Sequence, residues 1–141
     1  MNKHVIYSNE TERAYIYLTE PLTQQVSETE ELLENDDIII DLGVKVPIVG
    51  IEIEGETAKK LKYIPDKNKF FIEKETDNKS SCYSLRLNDA EIKKTIKHKN
   101  VPNTEFHFAD EDCLNFIGID ITDDSAYYKK YLGKWKSNRC V

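Results

Sequence analysis

Short runs rich in β-branched and aromatic residues, separated by polar breaks, dominate the first half of the chain. This composition is typical of strands. The runs lie near residues 3–8, 13–19, 37–42 and 47–54. We therefore predict two β-hairpins in this half, closed by a short helix around residues 58–61. Ser27 and Glu30 have capping-box spacing, which predicts one helical turn between the hairpins.

The pattern recurs in the second half of the chain. Residues 7–16 and 63–72 each read as a strand, a polar turn and a strand. Residues 48–53 (IVGIEI) resemble residues 116–121 (FIGIDI), with a glycine at the same place. An isolated glycine inside a strand indicates a bulge or a close approach of backbones. Because two separate segments recur in the same order, we predict an internal repeat.

The predicted copies span residues 1–61 and 62–141, and an insertion around residues 80–103 makes the second copy longer. A unit of about 60 residues has too small a core to be stable alone. We therefore expect the copies to pack about a pseudo-two-fold axis as one compact domain. The expected fold class is α+β, mainly antiparallel β-sheet in one sheet or two packed sheets. It is built from two tandem double-hairpin repeats, each followed by a short helix.

Three further elements are predicted in the second copy. Apolar residues at positions 83, 85 and 87 alternate with polar ones, as in a half-buried strand. Ile92 and Ile96 lie four residues apart behind a helix-start signal, so we predict a helical insertion near 88–100 with its helix at 89–98. Four apolar or aromatic residues at helical spacing predict a last helix near 124–132.

Composition restricts the class of protein. Of the 141 residues, 39% are hydrophobic and 33% are charged, which excludes collagen-like, low-complexity and wholly disordered chains. No apolar run approaches the roughly 20 residues that span a bilayer, and we expect no secretory signal. Three cysteines without a C-x-x-C pair argue against a disulfide scaffold and a zinc ribbon. We therefore predict a soluble, acidic, cytoplasmic domain.

Charge is distributed unevenly along the chain. The formal net charge is −6, with −8 on residues 1–61 and +2 on residues 62–141. Residues 20–37 contain seven acids and no base, whereas residues 129–139 contain five bases and no acid. A surface of one sign attracts partners of the other sign.

Several segments of the first half together resemble a known family. They are Tyr7, the polar turn 9–12, the strand 14–18, the acidic stretch 28–34, the Ile-rich strand ending in Asp41, and the Val-Gly-Ile-Glu-Ile strand 49–53. This pattern is similar to the small bacterial family catalogued as domain of unknown function number twenty-two eighty-three, with a weaker second copy over residues 62–132. The resemblance implies a small β-rich fold with a terminal helix, and it implies no activity. The Lys/Glu/Asn-rich composition is typical of a bacterial or phage protein.

Catalytic chemistry has little support in the sequence. His107, three acids and Cys113 crowd into seven residues, but this mixture of hard and soft ligands fits no regular metal site. The sequence has no phosphate-binding loop and no G-x-S-x-G elbow. Glu52 and Asp120 occupy matching places in the two copies and are expected to point to water; alternatively, both face one groove as an acid–base pair. We predict no catalytic residue, no metal and no cofactor.

Protein binding fits the sequence best. An acidic rim around aliphatic anchors captures a basic partner quickly, and tyrosines supply further anchors. We therefore predict a non-enzymatic module that neutralises a basic protein, such as an immunity protein, an antitoxin or a phage-type inhibitor. The candidate partner-binding residues are Glu28, Glu30, Glu31, Glu34, Asp36, Asp37, Tyr15, Tyr17 and Leu32.

Two alternatives stay open at this point. A small enzyme or ligand-binding protein would have its site between the two copies. A nucleic-acid binder would use the lysines of the helix predicted at 89–98 and the basic tail 129–139, where aromatic residues lie among the bases. The oligomeric state, monomer or homodimer, is open too, because the acidic half of one chain could face the basic half of another. No membrane partner is expected.

Overall fold

The computed structural model describes residues 3–75, 80–123 and 125–133, which form ten strands and two α-helices. The first half contains β1 (Val5–Ser8), β2 (Arg13–Tyr17), β3 (Val26–Leu32), β4 (Asn35–Gly43), β5 (Ile48–Ile53) and α1 (Gly55–Leu61). A 3-10 turn follows at Asp66–Asn68. The second half contains β6 (Ile72–Glu75), β7 (Ser81–Arg86), β8 (Lys94–His98), β9 (Val101–Phe108), β10 (Phe116–Thr122) and α2 (Ala126–Leu132).

The ten strands form two antiparallel five-stranded sheets with the same strand order. The first sheet runs β1-β2-β5-β4-β3, and the second runs β6-β7-β10-β9-β8. In each half the fifth strand lies at the centre of its sheet and a helix follows it. The predicted α+β class, with mainly antiparallel sheet in two sheets, is confirmed.

One face of each sheet contributes to a single hydrophobic core. The residues that align across the sheets are Ile16, Ile51 and Ile40 in the first and Leu85, Ile119 and Phe106 in the second. All of them are fully buried in one cluster, which also includes apolar residues of both helices. Burying a side chain of this size stabilises a fold by about 1.5–3 kcal/mol, so the two faces dominate the stability.

Buried hydrogen bonds also join the two halves. The Tyr128 hydroxyl donates to the Ile48 carbonyl and accepts from the Ile48 N–H, both at 2.8 Å. The backbone N–H of Phe71 donates to Nδ1 of the buried His4 at 2.8 Å. Because these bonds cross from one half to the other, the halves are not independent in the folded chain.

Most of the strands predicted from composition are confirmed. The runs near 3–8, 13–19, 37–42 and 47–54 correspond to β1, β2, β4 and β5, and the alternating segment at 83–87 lies in and just after β7. The short helices predicted around 58–61 and 124–132 correspond to α1 and α2. The tract 124–132 has apolar residues at helical spacing, which explains the agreement there.

The helix predicted at 89–98 is wrong. Residues 88–93 are irregular, and residues 94–98 form β8, an edge strand that pairs with β9. Ile96 is buried opposite Phe106, whereas Ile92 is exposed, so the two isoleucines do not share a helical stripe. Cross-strand pairing has overridden a weak local helix signal.

Two other local predictions are also wrong. The helical turn expected from the capping-box spacing of Ser27 and Glu30 is part of β3. Residues 63–72 are not a hairpin, because a loop and the 3-10 turn occupy them and β6 begins only at Ile72. Each half therefore has five strands rather than four.

Among the described helices, none is long and apolar enough to span a membrane.

Candidate functional site

Polar side chains cluster on the face of the first sheet that is turned away from the core. Tyr17 and Asp41 both pair with Gly50, and Tyr15 pairs with Glu52 one row farther along. Paired residues in a sheet project to the same face. These side chains therefore share one surface, and we term Tyr15, Tyr17, Asp41 and Glu52 the first outer cluster.

Asp41 is the buried member of the first outer cluster. The residue is 5% exposed, and its Oδ2 accepts a hydrogen bond of 2.8 Å from the Tyr15 hydroxyl. Burial, together with this hydrogen bond and the charge of Asp41, raises the pKa of Tyr15 well above its usual value. Oδ1 of Asp41 receives no hydrogen bond from the described part of the chain. A buried carboxylate oxygen without a donor is costly, so the site favours an added donor.

Glu52 is the member of this cluster that titrates near neutrality. Burial, a hydrogen bond with Asp41 and the negative charge of Asp41 raise the pKa of Glu52 to about 7, against the opposing effect of Arg13. When Glu52 is protonated, its proton is the available donor to the Asp41 carboxylate, which otherwise accepts, among the described residues, only from the Tyr15 hydroxyl. Two carboxyl groups in contact share a proton at neutral pH, because ionising both would place two negative charges side by side without a cation.

A cleft of about 200 Å³ opens beside the cluster. Tyr15, Tyr17 and Glu52 line it together with Arg13. The two tyrosine rings lie 4.6 Å apart between centroids. The Tyr15 ring packs so closely over Gly50 that an added Cβ would clash with it. The pairing of β4 with β5 also shifts by one residue next to Gly50. Gly50 thus lies at the bulge expected from the sequence, while the close approach there is by the Tyr15 ring rather than by another backbone.

The second sheet has a counterpart around Gly118. Both terminal nitrogens of Arg86 donate to Asp120, to Oδ1 at 2.8 Å and to Oδ2 at 3.0 Å. Nε2 of the buried His107 lies 3.2 Å from Oδ2 of Asp120. Although burial alone would raise it, the hydrogen bonds from His107 and Arg86 hold the pKa of Asp120 well below its usual range. We term Ser84, Arg86, His107 and Asp120 the second outer cluster.

The two outer clusters occupy equivalent positions in their sheets. When Gly50 is aligned with Gly118, Glu52 falls on Asp120 and Asp41 falls on His107. In the same alignment the neighbouring strands place Tyr17 on Arg86 and Tyr15 on Ser84. The second cluster therefore supplies its own cation, whereas the first has two acids and two tyrosines at these positions.

The expected equivalence of Glu52 and Asp120 is visible in the structure, but their pairing is not. Each carboxyl points away from the core on the outer face of its own sheet. The alternative in which both face one groove between the halves is therefore wrong. The groove between the halves lacks this acid–base pair because the inward faces of β5 and β10 carry isoleucines.

A metal site at the second outer cluster is disfavoured by its own charges. Glu105, His107 and Asp120 place one ligand atom each within 4.8 Å of one another. Both oxygens of Asp120 are held by the guanidinium of Arg86, so a metal ion would have to displace a cation that is already paired. The acids next to His107 in the sequence lie in the β9–β10 turn, where Asp110 accepts from the backbone N–H of Leu114 and Asn115.

The acids predicted to bind a partner lie mainly on β3 and on the turn that follows it. Glu28, Glu31, Glu34 and Asp36 are exposed. Within residues 3–75, 80–123 and 125–133, none of these four forms an ion pair. Glu31 pairs with Ile39, which in turn pairs with Glu52. Glu31 therefore extends the outer face that carries the first outer cluster, whereas Glu28 pairs with the core residue Leu42 and projects to the other side at the open edge of β3.

Two other predicted binding residues, Leu32 and Asp37, have structural roles. Leu32 is 1% exposed in the core, so its prediction as a partner anchor is wrong; Leu33, at 90% exposure, is the accessible leucine. Asp37 accepts hydrogen bonds from the backbone N–H and the hydroxyl of Thr57 at the start of α1.

Glu30 bridges the edges of the two sheets. Its carboxylate lies 3.2 Å from Nε2 of His98 and accepts a hydrogen bond of 2.7 Å from the Asn100 side chain. Glu30 is thus engaged within the chain, and the partner-binding role predicted for it would require this contact to open.

The lysines predicted for nucleic-acid binding do not form a helical face. They lie on and beside the edge strand β8, where Nζ of Lys97 is 3.9 Å from Glu105. Residues 134–139 of the predicted basic tail lie outside the described residues.

A mainly apolar cleft of about 220 Å³ does lie at the junction of the halves. Lys60 is the titratable residue among those that line this cleft, and its ammonium donates to the Asn115 side chain at 2.7 Å. This lining offers little acid–base chemistry.

Comparison with known proteins gives one relationship along nearly the whole chain. The chain is 30% identical over 131 residues to a Bacillus subtilis (strain 168) protein named "Uncharacterized protein YuzE". The matched region covers 92% of this chain and 95% of the relative. No family model matches the sequence, and no solved structure matches it.

Proposed function

We propose that this chain, which belongs to the same family as the Bacillus subtilis protein YuzE, is a non-enzymatic module that binds a basic protein through the outer face of its first sheet. The first outer cluster carries the proposal. Two carboxyls and two tyrosines share one face there, without the arginine that neutralises the equivalent acid of the second sheet. Tyrosine is a common anchor at interfaces, and acids placed opposite basic side chains give an interface charge complementarity.

The open edge of β3 enlarges the proposed binding surface. In the described chain β3 pairs with β4 on one side, so its other edge is available to an added strand. Acids flank this edge, and the exposed Leu33 lies at its end. An extended basic segment of the partner would pair with the edge through its backbone and with the acids through its side chains.

A partner of this chemistry suits a neutralising role. Opposite charges on two proteins accelerate their association and select against acidic competitors. Immunity proteins, antitoxins and phage-type inhibitors that block a basic target rely on this physics, and we propose that this chain acts in the cytoplasm as one of them. A homodimer in which the basic half of one chain covers this face is the competing arrangement.

We also propose that the two halves arose by duplication of one unit. The shared strand order, the helix after each fifth strand and the equivalent glycines support this origin. Such a unit of five strands and a helix is compatible with the resemblance of the first half to domain of unknown function number twenty-two eighty-three. The second half kept the scaffold and acquired Arg86, whereas the first half kept an unneutralised face.

The proposal is tested by capturing the partner with matched charge variants. Tagged wild-type protein, a face variant (Glu28→Gln, Glu31→Gln and Glu34→Gln) and a control variant (Glu10→Gln, Glu111→Gln and Asp112→Asn) are expressed in the native host. Both variants lose three exposed acids, so they have the same net charge. Partners that co-purify in stoichiometric amount are identified by mass spectrometry, and their affinities are then measured by calorimetry with purified components.

A basic partner should bind the wild type and the control equally, and the face variant should bind it at least about tenfold more weakly, a loss of roughly 1.4 kcal/mol. Capture of no stoichiometric partner, capture of an acidic one, or equal binding by the face variant and the control would each contradict the proposal.

A further inference from the structure

We propose that the first outer cluster is a receptor for one arginine side chain of the basic partner, with the guanidinium held by the Glu52 carboxylate, flanked by Tyr15 and Tyr17, and attracted by the charge of the buried Asp41 behind them. This inference rests on the proposed function and adds the residue type that the outer face recognises.

The second half of the chain provides the template for the bound state. There, Arg86 lies against Gly118 and holds the carboxylate of Asp120 with two parallel hydrogen bonds. Tyr17 stands at the equivalent position of the first sheet, so Glu52 has no such partner from β2. In the first sheet the Tyr15 ring lies over Gly50, the place that Arg86 takes over Gly118, so an external guanidinium would approach Glu52 from the cleft beside the rings.

An unsatisfied acceptor in the first cluster indicates which ligand it lacks. Asp41 is 95% buried, and once Glu52 is ionised its Oδ1 has no hydrogen-bond donor within the described residues. A guanidinium bound to Glu52 would place a positive charge beside this buried acid, and its planar fork of N–H donors matches the two oxygens of the Glu52 carboxylate. An ammonium is a strongly hydrated point charge and matches this pair of acceptors less well.

The shape of the cleft also suits a planar cation. The cleft of about 200 Å³ is lined by both tyrosine rings and by Glu52. Cations, and arginine most often, are attracted to the faces of aromatic rings within about 6 Å. Arg13 lines the same cleft, but its guanidinium is mainly exposed and lies 3.7 Å from Glu54, so it stands at the rim rather than over the acid pair.

A bound guanidinium would replace the proton that the acid pair holds. The charged groups that act on Glu52 are Asp41 on β4, Arg13 on β2 and Glu54 after β5. With the cation in place, Glu52 is ionised at neutral pH because the added positive charge favours the carboxylate. Arginine binding should therefore release a proton and strengthen as the pH rises from 6 to 8.

The direct test uses N-acetyl-arginine methylamide as the probe, with N-acetyl-lysine methylamide for comparison. Carbon-detected NMR follows the Glu52 carboxyl and the tyrosine ring signals of the wild type, Glu52→Gln, Tyr17→Arg and a Glu111→Gln control. Tyr17→Arg places in the first sheet the residue that the second sheet already has, so it fills the site from within the chain. Thermal unfolding of each variant shows that the fold is retained.

The arginine probe should shift the Tyr15, Tyr17 and Glu52 signals of the wild type and lower the measured pKa of Glu52 by about one unit or more. Tyr17→Arg should lower that pKa without the probe and weaken probe binding at least about tenfold, and Glu52→Gln should also weaken it. The Glu111→Gln control, in the exposed β9–β10 turn, should bind as the wild type does. Equal binding by Tyr17→Arg and wild type, equal binding of the lysine probe, or shifts confined to other residues would overturn the inference.

The outcomes separate this inference from the proposed function. If the β3 face variant loses the basic partner but Glu52→Gln binds it as tightly as the wild type, the arginine site is refuted and the proposed function stands. If the arginine probe binds as expected but no basic partner is captured, the proposed function fails while the site is supported.

Discussion

Arg86 holds both carboxylate oxygens of Asp120 on the outer face of the second sheet, at 2.8 and 3.0 Å. At the equivalent position of the first sheet stands Tyr17, opposite a carboxyl pair that has no such arginine. The differences between the two clusters thus leave one face neutralised by its own arginine and the other with two acids that depend on a proton or an external cation.

Replacing this arginine should destabilise the second sheet. Arg86→Met leaves the half-buried Asp120 without its guanidinium, and we expect a loss of about 2 kcal/mol in the free energy of unfolding at pH 7. Urea unfolding followed by circular dichroism measures this change. The matched control is Arg13→Met, whose mainly exposed guanidinium lies 3.7 Å from Glu54 and should contribute less than about 0.5 kcal/mol.

Acid pH provides a second readout of the same pair. Because the folded chain holds the pKa of Asp120 below its unfolded value, the pair stabilises the fold above about pH 4 and this contribution is lost as the pH falls toward the folded pKa. Wild-type stability should therefore fall more steeply than that of Arg86→Met between about pH 4 and 2. Parallel curves for the two proteins would show that Arg86 does not hold the pKa down.

Glu52 should produce the opposite pH dependence. Its pKa in the folded chain is raised to about 7, so its contribution to stability is complete below its unfolded pKa and is lost as the pH rises through 7. Glu52→Gln should remove this loss, making the variant the more stable protein at pH 8 by on the order of 1 kcal/mol, since solvent screens a partly exposed group.

Urea unfolding at pH 5 and pH 8 checks this expectation, with Glu31→Gln as the control on the same face. If the difference in free energy of unfolding between wild type and Glu52→Gln is the same at pH 5 and pH 8, the two carboxyls of the first outer cluster do not interact.

The contact between the halves through the Tyr128 hydroxyl should contribute to the stability of the fold. Tyr128→Phe removes a hydroxyl that serves both the N–H and the carbonyl of the buried Ile48, so we expect a loss of about 2 kcal/mol. Tyr127→Phe is the matched control on the same helix, because Tyr127 is 43% exposed, and it should change stability by less than about 0.5 kcal/mol. Equal effects of the two substitutions, measured by thermal unfolding, would refute a special role for the buried hydroxyl.

Local sequence signals sufficed where a strand or helix had a full apolar face. The Ile-rich strands β4 and β5 and the helix α2 are examples, because their periodicity extends over the whole element. The same signals failed at the edge strands β3 and β8, which are mostly polar and exposed. There the strand is specified by pairing with a neighbour distant in the sequence, which local spacing does not reveal.

The candidate site was only partly visible in the sequence. Tyr15 and Tyr17 were identified as possible anchors, and the matching places of Glu52 and Asp120 were recognised. The contribution of Asp41 was missed, although an aspartate that ends a run of isoleucines is an unusual choice for a buried strand. Its contact with Tyr15 depends on the register of three strands, and register is a tertiary property.

The most direct test of the central claim is amide hydrogen exchange of the chain with and without its captured basic partner. The claim predicts slower exchange in β3 (Val26–Leu32) and in β2 (Arg13–Tyr17), with β7 (Ser81–Arg86) and β10 (Phe116–Thr122) unchanged. Protection confined to the second sheet, or to the helices, would contradict the claim that the outer face of the first sheet is the binding surface.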